Sequence, residues 1–385
     1  MTIQTMPIID IDTHYTEPPD LWTSRAPAKL RGQVPRVVDK GGRQTWVVED
    51  DTRLSPPGFC VIRPDRTKLR GQFSLARFDE MHPGATDPAR RVEDMDQVGI
   101  HSQILYPNVV GFGGNMIMRI ADADLRRFCV TAYNDAIAEL QAAGAGRLFP
   151  QAVLPFWDLD FALSELRRTS EELGLTGFTM TDSPQEWGLP TLNETHWDPL
   201  WEIAQDKDLP VNFHIGSGGF AGTWTGYDLP QMVATSSVML FMNNMRCLTN
   251  LIFSGLLDRF PRLRFVSVES GIGWIPFMLE ACEYQMDENM PADYAKLELR
   301  PREYFHRQLF ASYWFEEENV ADTIRRIGAD NVMFETDFPH PTCLYPDVRK
   351  HVAKTIGSLP EDAQRKILYG TAASVYGLPV PADEG

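Results

Sequence analysis

Short apolar runs alternate with longer helical patterns along most of the chain, and this alternation limits the folds open to it. Eight runs rich in Val, Ile and Phe, each bounded by polar residues, Gly or Pro, are predicted to be strands. They are Ile8–His14, Ser102–Asn108, Leu148–Phe156, Phe178–Asp182, Pro210–Ile215, Arg264–Ser270, Gln308–Trp314 and Val332–Pro339. Helical patterns lie between them at Asp122–Ala143, Asp158–Leu173, His196–Lys207, Leu229–Phe260, Gly273–Glu288 and Glu317–Ile327. Strands that alternate with helices indicate an α/β fold with a parallel sheet.

The number of strands selects among the parallel α/β folds. Eight strand–helix units fit a closed (β/α)8 TIM barrel better than an open doubly wound sheet, which usually has a G-x-G-x-x-G turn after its first strand. No such turn follows the first predicted strand. Hydrophobic residues make up 43% of the chain, which is enough for a large core. Since no repeat or linker divides the chain, residues 1–385 are predicted to form a single barrel.

One segment interrupts the alternation of strands and helices. Tyr15–Gly84 is rich in proline and far too long for a loop between the first strand and its helix. Segments of that length in compact domains are usually functional lids or small subdomains. Residues 15–84 are therefore predicted to be an inserted lid or small subdomain, with a short strand at Thr45–Glu49.

The charge and cysteine patterns exclude several classes of partner. The net charge is −17, and no cluster of Lys and Arg is present, so a nucleic-acid partner is not expected. No run approaches the roughly 20 apolar residues that cross a bilayer, and the N-terminus has no signal-peptide pattern. Five scattered cysteines indicate neither a disulfide framework nor a thiolate zinc site. The expectation is a cytoplasmic protein without a membrane partner.

Ionisable residues stand at the ends of four predicted strands. In a barrel of this kind the C-terminal strand ends surround the active site. Asp12 and His14 are two residues apart on the first strand and project from the same face. The others are His214 on the fifth strand, Glu269 on the sixth and Asp337 on the eighth. These side chains can converge on a cation at one rim.

Each of these residues has an ordinary explanation when it is taken alone. A single histidine is usually hydrogen-bonded in the core, and an aspartate at a strand end often caps the next helix. Together they are harder to explain, because ionisable groups within apolar runs are unfavourable unless they are paired or bound to a metal. Carboxylates and imidazoles suit a divalent ion, with zinc as the first choice and manganese or iron as alternatives.

The strand ends also resemble those of a known family. The pattern Asp-x-Asp-x-His-x-x-Glu from Asp10 to Glu17, a His on the fifth strand and Thr336–His340 resemble the amidohydrolase-related barrels, amidohydrolase family 2. This branch of metal-dependent hydrolases and decarboxylases includes aminocarboxymuconate semialdehyde decarboxylase. The resemblance extends to Arg91–Ile100 and to Leu368–Ala373, where the chain has Gly-Thr-Ala and the family often has Gly-Asn-Ala. The resemblance covers most of the chain and implies a small apolar or aromatic acid-like substrate.

The resemblance implies roles for individual residues. The metal ligands would be Asp12, His14, His214 and Asp337, with Asp12 in place of the first His of the usual His-x-His pair. His340, three residues beyond Asp337, is predicted to be a catalytic group that contacts the substrate or supports the ligands.

Glu269 departs from the family pattern. The decarboxylases of the family place a His at the end of the sixth strand, as an acid/base group beside the metal. A carboxylate at this position can accept a proton from a metal-bound water, whose pKa the metal lowers toward neutrality. The first hypothesis is therefore a metal-dependent hydrolase with Glu269 as general base, and decarboxylation is the variant within the family. A barrel that lost its metal and only binds a ligand is the non-enzymatic alternative.

A different enzyme class also fits these residues. Four carboxylates and two imidazoles match the ligand count of di-iron carboxylate proteins. They are Asp12, Glu17, Glu269, Asp337, His14 and His214. With Glu17 and Glu269 as added ligands, two ions about 3.5–4 Å apart would be held, and either oxygen activation or two-metal hydrolysis would follow. Glu17 is explained equally well as an ordinary charged residue at the start of the long insertion. The alternative hypothesis is a non-heme di-iron, O2-dependent monooxygenase on the same barrel.

An apolar pocket and one subunit contact are also predicted. Large aromatic side chains that follow the strands would surround a small-molecule substrate. They are Phe112, Trp157, Trp187, Trp224, Phe241 and Trp314. Met239–Met245, inside the longest helical pattern, is apolar enough to contact a second subunit, and a buried core helix explains it equally well, so a homodimer is one expectation.

Overall fold

Parallel strands form the centre of the fold. The computed structural model describes residues 2–218, 225–291 and 296–380. Its strands in these ranges are β1 (Ile9–His14), β2 (Arg36–Lys40), β3 (Arg43–Val48), β4 (Thr52–Ser55), β5 (Ser102–Tyr106), β6 (Leu148–Pro150), β7 (Ala152–Val153), β8 (Phe178–Thr179), β9 (Val211–His214), β10 (Phe265–Val268), β11 (Leu309–Tyr313) and β12 (Val332–Phe334). Nine of them form a sheet in the order β6-β5-β1-β12-β11-β10-β9-β8-β7.

This parallel sheet closes into a barrel. Its two outer members, β6 and β7, are halves of one segment that only Gln151 separates. β6 pairs with β5, and the Gln151 N–H donates to Leu105 on that side. β7 pairs with β8, and the Ala152 N–H donates to Gly177 on the other side. The nine strands are thus the eight predicted ones in a ring, and the predicted α/β barrel is confirmed.

Helices follow the barrel strands. They are α1 (Leu21–Arg25), α2 (Pro88–Val98), α3 (Ala123–Ala143), α4 (Leu159–Glu171), α5 (Asp198–Asp206), α6 (Leu229–Phe253), α7 (Leu256–Arg259), α8 (Ile275–Asn289), α9 (Pro301–Gln308), α10 (Val320–Ile327), α11 (Val348–Ile356), α12 (Glu361–Arg365) and α13 (Thr371–Tyr376). The single helix predicted over Leu229–Phe260 is wrong, because Gly255 has a left-handed φ of 71° and separates α6 from α7. None of the described helices is long and apolar enough to cross a membrane.

Helix α2 was not predicted, although its sequence carries start and stop signals. The Asp87 side chain accepts hydrogen bonds from the N–H groups of Ala89 and Arg90, and Pro88 occupies the first turn. Gly99 ends the helix with a left-handed φ of 79°. This helix matters for the site, because it carries a buried arginine toward the barrel rim.

The inserted segment contains a small antiparallel sheet of β2, β3 and β4. Gly41 and Gly42 both have positive φ and make the two-residue turn between β2 and β3. The strand predicted at Thr45–Glu49 corresponds to β3, the central strand of this sheet. Trp46 of β3 is buried and contacts Trp22 of the same segment edge to face at 5.3 Å between ring centroids. The Trp22 indole N–H in turn donates to Cys129 O of the barrel helix α3 at 3.0 Å. The segment thus packs on the barrel body, and its role as a lid or separate subdomain stays a prediction.

Candidate metal centre

The first and eighth strands meet at the C-terminal rim. All of β1 is buried, and Asp12 and His14 lie on the same face of the strand. The His14 N–H donates to Phe338 O at 2.7 Å, and the Asp337 N–H donates to Asp12 O at 2.9 Å. These bonds hold Asp337, just beyond β12, beside the two ionisable residues of β1.

The fifth and sixth strands deliver the next two residues. Val268 pairs with His214, so Glu269 comes directly after the last paired residue of β10. Glu269 has a left-handed φ of 56°, a conformation that L-residues with a side chain rarely adopt. Its N–H donates to Glu335 Oε2 at 3.1 Å, and the same oxygen accepts a hydrogen bond from the Ser312 hydroxyl. Glu335 therefore holds the backbone that carries Glu269, and it was missed because this contact joins β10 to β12.

Side chains from these four strands converge. Nε2 of His14 and Nε2 of His214 are 3.2 Å apart, and they lie 3.6 and 3.4 Å from Asp12 Oδ1. His214 Nε2 is also 3.4 Å from Glu269 Oε2, and His14 Nε2 is 3.5 Å from Asp337 Oδ1. Ligand atoms of Asp12, His14, His214 and Glu269 all lie within 4.8 Å of one another, as do those of His14, Asp337 and His340. These six residues are called the metal cluster below.

The two imidazoles direct lone pairs into the cluster. His14 Nδ1 lies 3.3 Å from Pro107 O, and His214 Nδ1 lies 2.8 Å from Ile215 O. A carbonyl only accepts, so each Nδ1 carries the proton and each Nε2 is left unprotonated in a neutral ring. Two facing Nε2 lone pairs cannot bond to each other. A cation between them removes this conflict, as in metal sites where a backbone carbonyl orients the histidine.

The carboxylates of the cluster also require a cation to compensate their burial. Both oxygens of Asp12 are buried without a hydrogen-bond donor. Burial, and then the charge of Asp12, raise the pKa of Asp337 well above its usual range. Burial, and then the charges of Asp337 and Asp12, do the same to the pKa of Glu269. Asp337 Oδ1 is also buried without a hydrogen-bond donor, whereas its Oδ2 accepts from the Thr342 hydroxyl at 3.0 Å. Buried carboxylate oxygens without donors are unfavourable alone and favourable around a cation, so these ligand atoms fit a divalent ion.

His340 completes the rim. Its ring stacks on His14 with centroids 3.6 Å apart, and its Nδ1 is 2.9 Å from Asp337 Oδ1. Its Nε2 lies 2.7 Å from Asn108 Oδ1, which can only accept, so Nδ1 carries the lone pair. Burial is the main cause that lowers the pKa of His340 to about 3. Asn108 lies at the end of the second predicted strand. Its contact with His340 was missed because His340 follows the eighth strand, far away in the sequence.

Glu17 is not brought into the cluster. Its Oε1 accepts hydrogen bonds from the N–H groups of Asn108 and Val109, both at 2.9 Å. Its Oε2 is buried without a partner. Burial raises the pKa of Glu17 to about 7. Within the described residues Glu17 joins neither group of converging ligand atoms, and its role as a ligand stays a prediction.

Exposure distinguishes two members of the cluster. Glu269 is 7% exposed and His340 is 4% exposed, whereas the four other members are 0% exposed. Phe112 lies over the histidines, with its ring centroid 4.4 Å from that of His214, and Phe59 from the inserted segment lies 5.8 Å from His340. A substrate that enters past these aromatic rings therefore meets Glu269 and His340 first.

The other predicted pocket aromatics pack elsewhere or lie beyond the described ranges. Trp157 and Trp187 pack on Phe156, and Phe241 packs on Trp314. Trp224 lies outside the described residues.

Comparisons with known proteins agree with this geometry. Residues 9–378 match the family model described as amidohydrolase. Gamma-resorcylate decarboxylase of Polaromonas sp. strain JS666 is 26% identical over 299 residues, which are 75% of this chain and 87% of that protein. The 2-amino-3-carboxymuconate-6-semialdehyde decarboxylase of Dictyostelium discoideum is 24% identical over 349 residues, 89% of this chain and 88% of that protein.

A solved structure shares the fold. The dihydroxybenzoic acid decarboxylase of Polaromonas sp. JS666, with bound manganese and the inhibitor 2-nitroresorcinol, aligns with a TM-score of 0.62 at 19% identity, covering 98% of this chain and 97% of that one. At this identity the likeness shows the fold alone. The family match extends over nearly the whole chain and confirms the predicted enzyme class. The chain belongs to the amidohydrolase family.

Proposed function

We propose that this protein is a metal-dependent decarboxylase of a small aromatic carboxylic acid. The observation that carries the proposal is the metal cluster, in which two imidazole lone pairs converge with three buried carboxylate oxygens, both of Asp12 and Oδ1 of Asp337, that have no hydrogen-bond donor. Asp12, His14, His214 and Asp337 would hold one divalent ion, with Glu269 beside it. Both relatives compared above are named as decarboxylases, and so is the protein of the solved structure, which holds manganese; these names support a lyase over the hydrolase expected from Glu269.

The chain's own residues suit a proton transfer. A bound divalent ion would supply positive charge that orients an anionic substrate and offsets the carboxylates. Glu269, the most exposed member of the cluster, would donate its proton to the ring carbon that bears the carboxylate. The ring–carboxyl bond then breaks, its electron pair stays with the ring, and CO2 leaves. Glu269 recovers its proton from water, while Phe59 and Phe112 exclude bulk solvent from the reacting carbon.

Product identification under nitrogen tests this proposal. Protein loaded with manganese or zinc is incubated with a panel of hydroxybenzoic acids and, separately, with aromatic esters, lactones and amides. We expect equal amounts of CO2 and the decarboxylated phenol without dioxygen. Cleavage of esters, lactones or amides, with every carboxylic acid left intact, would contradict decarboxylation and support the hydrolase hypothesis.

A second candidate is the di-iron monooxygenase. Two features favour it. If Asp12, Glu269 and Asp337 are all ionised as ligands, their charge of −3 and one divalent ion with neutral imidazoles leave a formal charge of about −1, which a second ion would offset. The buried and unpartnered Oε2 of Glu17 is a further oxygen that a second ion would use. Turnover that requires iron, a reductant and dioxygen would support this candidate over the decarboxylase.

Glu17→Gln separates the two candidates. Gln keeps an oxygen for the N–H groups of Asn108 and Val109 but loses the anionic oxygen. If one ion is bound, as proposed, the metal content stays near one per chain and activity changes by less than about 10-fold, since Glu17 supports the rim only from outside. Asp79→Asn, at an exposed carboxylate, is the control. A fall in metal content from two would contradict the one-ion proposal.

We also propose that the protein forms a homodimer through α6. None of the described side chains of residues 230–243 is buried, and Val238, Met239 and Met242 are exposed. Arg246 is the one charged residue in the helix sequence, so two strongly acidic chains can meet here without charge repulsion.

Met239→Glu is expected to convert the dimer to a monomer in light scattering after gel filtration, whereas Phe73→Glu, at another exposed apolar site, leaves it dimeric. A monomeric parent would contradict the proposal.

A further inference from the structure

Arg91 is a buried cation that the chemistry above does not use. It lies on α2 and is 2% exposed. Within the described part of the chain it makes no ion pair, and Asp10 and Asp94 act on its pKa only through space. Burial lowers the pKa of Arg91 to about 10, so the guanidinium stays charged at pH 7. A buried charge without a contacting counterion is unfavourable, so its hydrogen bonds must account for its position.

Its hydrogen bonds go to the backbone of the metal cluster. Nη1 donates to His14 O at 2.8 Å, and Nη2 donates to Phe338 O at 3.3 Å. The guanidinium carbon also lies 4.9 Å from the centroid of the Phe338 ring. Phe338 comes directly after Asp337, so one side chain contacts both segments that carry cluster residues from β1 and β12.

The planar fork of arginine suits this bridge. Two parallel donors on one rigid group fix the separation of two carbonyl oxygens, which the single ammonium of lysine does not do. The ends of β1 and β12 are already joined by the N–H groups of His14 and Asp337. Arg91 is therefore not needed to bring the segments together, and its contribution is to set their relative position.

We propose that Arg91 is a positioning residue for the metal ion. It fixes His14 and Asp337 relative to each other through the carbonyls of His14 and Phe338. The inference rests on the proposed metal site.

Cobalt(II) binding tests the inference, because the visible absorption of cobalt reports ligand geometry. Metal-free parent, Arg91→Met, Arg91→Lys and the control Arg90→Met are titrated with cobalt(II) in competition with a chelator. Arg90 is the exposed neighbour that pairs with Glu93. We expect Arg91→Met to bind cobalt about 10–100-fold more weakly than the parent and to change its absorption spectrum. Arg91→Lys keeps the charge and a single donor without the fork, so it recovers part of the affinity through that donor but not the spectrum, and Arg90→Met matches the parent.

Thermal unfolding and circular dichroism of the metal-free proteins separate positioning from stability. A folded Arg91→Met with the parent's cobalt affinity and spectrum would overturn the inference. If Arg91→Met does not fold, the cobalt affinity and absorption spectrum of Arg91→Lys decide in its place. If neither variant folds, Arg91 has a purely structural role and the inference is overturned. A parent that binds no cobalt would instead refute the proposed metal site itself.

Discussion

Replacing His214 or Asp337 by Ala is expected to abolish activity and to remove most of the bound metal. Both side chains are 0% exposed, and each lies within 3.5 Å of another member of the metal cluster. Loss of an outer partner of a metal site typically lowers affinity about 10–100-fold, so loss of a direct ligand should exceed that range. Metal content by mass spectrometry and kcat/KM in manganese-supplemented buffer are the measurements.

The thermal stability of Asp337→Ala should not fall, although its activity should. Asp337→Ala removes a buried carboxylate that faces Asp12, so the metal-free variant should unfold at a temperature no lower than the metal-free parent. His196→Ala and Asp79→Ala, at exposed positions, are matched controls that should keep metal and activity. Full activity in either cluster variant would remove that residue from the site.

Glu269→Gln is expected to lower kcat by about 10²–10⁴-fold while the metal content stays near one per chain. Gln has nearly the same shape and keeps the backbone N–H bond to Glu335, so the left-handed turn after β10 is retained. It cannot transfer a proton as an acid or base. The effect should therefore fall on kcat rather than on metal binding.

The metal content of this variant also separates the candidate functions. In a two-iron site Glu269 is a ligand, and Glu269→Gln would lower the metal content from about two per chain. Such a loss, together with activity that disappears under nitrogen in the iron-loaded parent, would contradict the decarboxylase proposal. Arg302→Gln, at a residue away from the cluster, is a control for metal that is lost during purification.

The strand ends could be predicted from sequence because they follow from local periodicity. The spacing of Asp12 and His14 places them on one face of any β-strand. Parallel strands of a barrel also end at one rim, so His214 and Glu269 could be expected near each other before their register was known. The pairing of Val268 with His214 shows how closely they meet.

The supporting contacts could not be predicted in the same way. Arg91 donates to the carbonyls of His14 and Phe338, which are separated from it by 77 and 247 positions in the sequence. Since every residue has a backbone carbonyl, the sequence does not indicate which one accepts. Glu17 accepts from N–H groups after β5, a turn whose shape depends on the packed barrel. The hairpin at Gly41 and Gly42 had a local signal that could have been found.

The most direct test of the account is the metal content of the untagged protein. The chain is expressed with added manganese, zinc or iron, purified without a histidine tag and analysed by inductively coupled plasma mass spectrometry. We predict about one tightly bound divalent ion per chain, lost in Asp12→Ala, which removes the carboxylate that no donor satisfies. Metal at background level under all three conditions, with activity that a chelator does not change, would contradict the account.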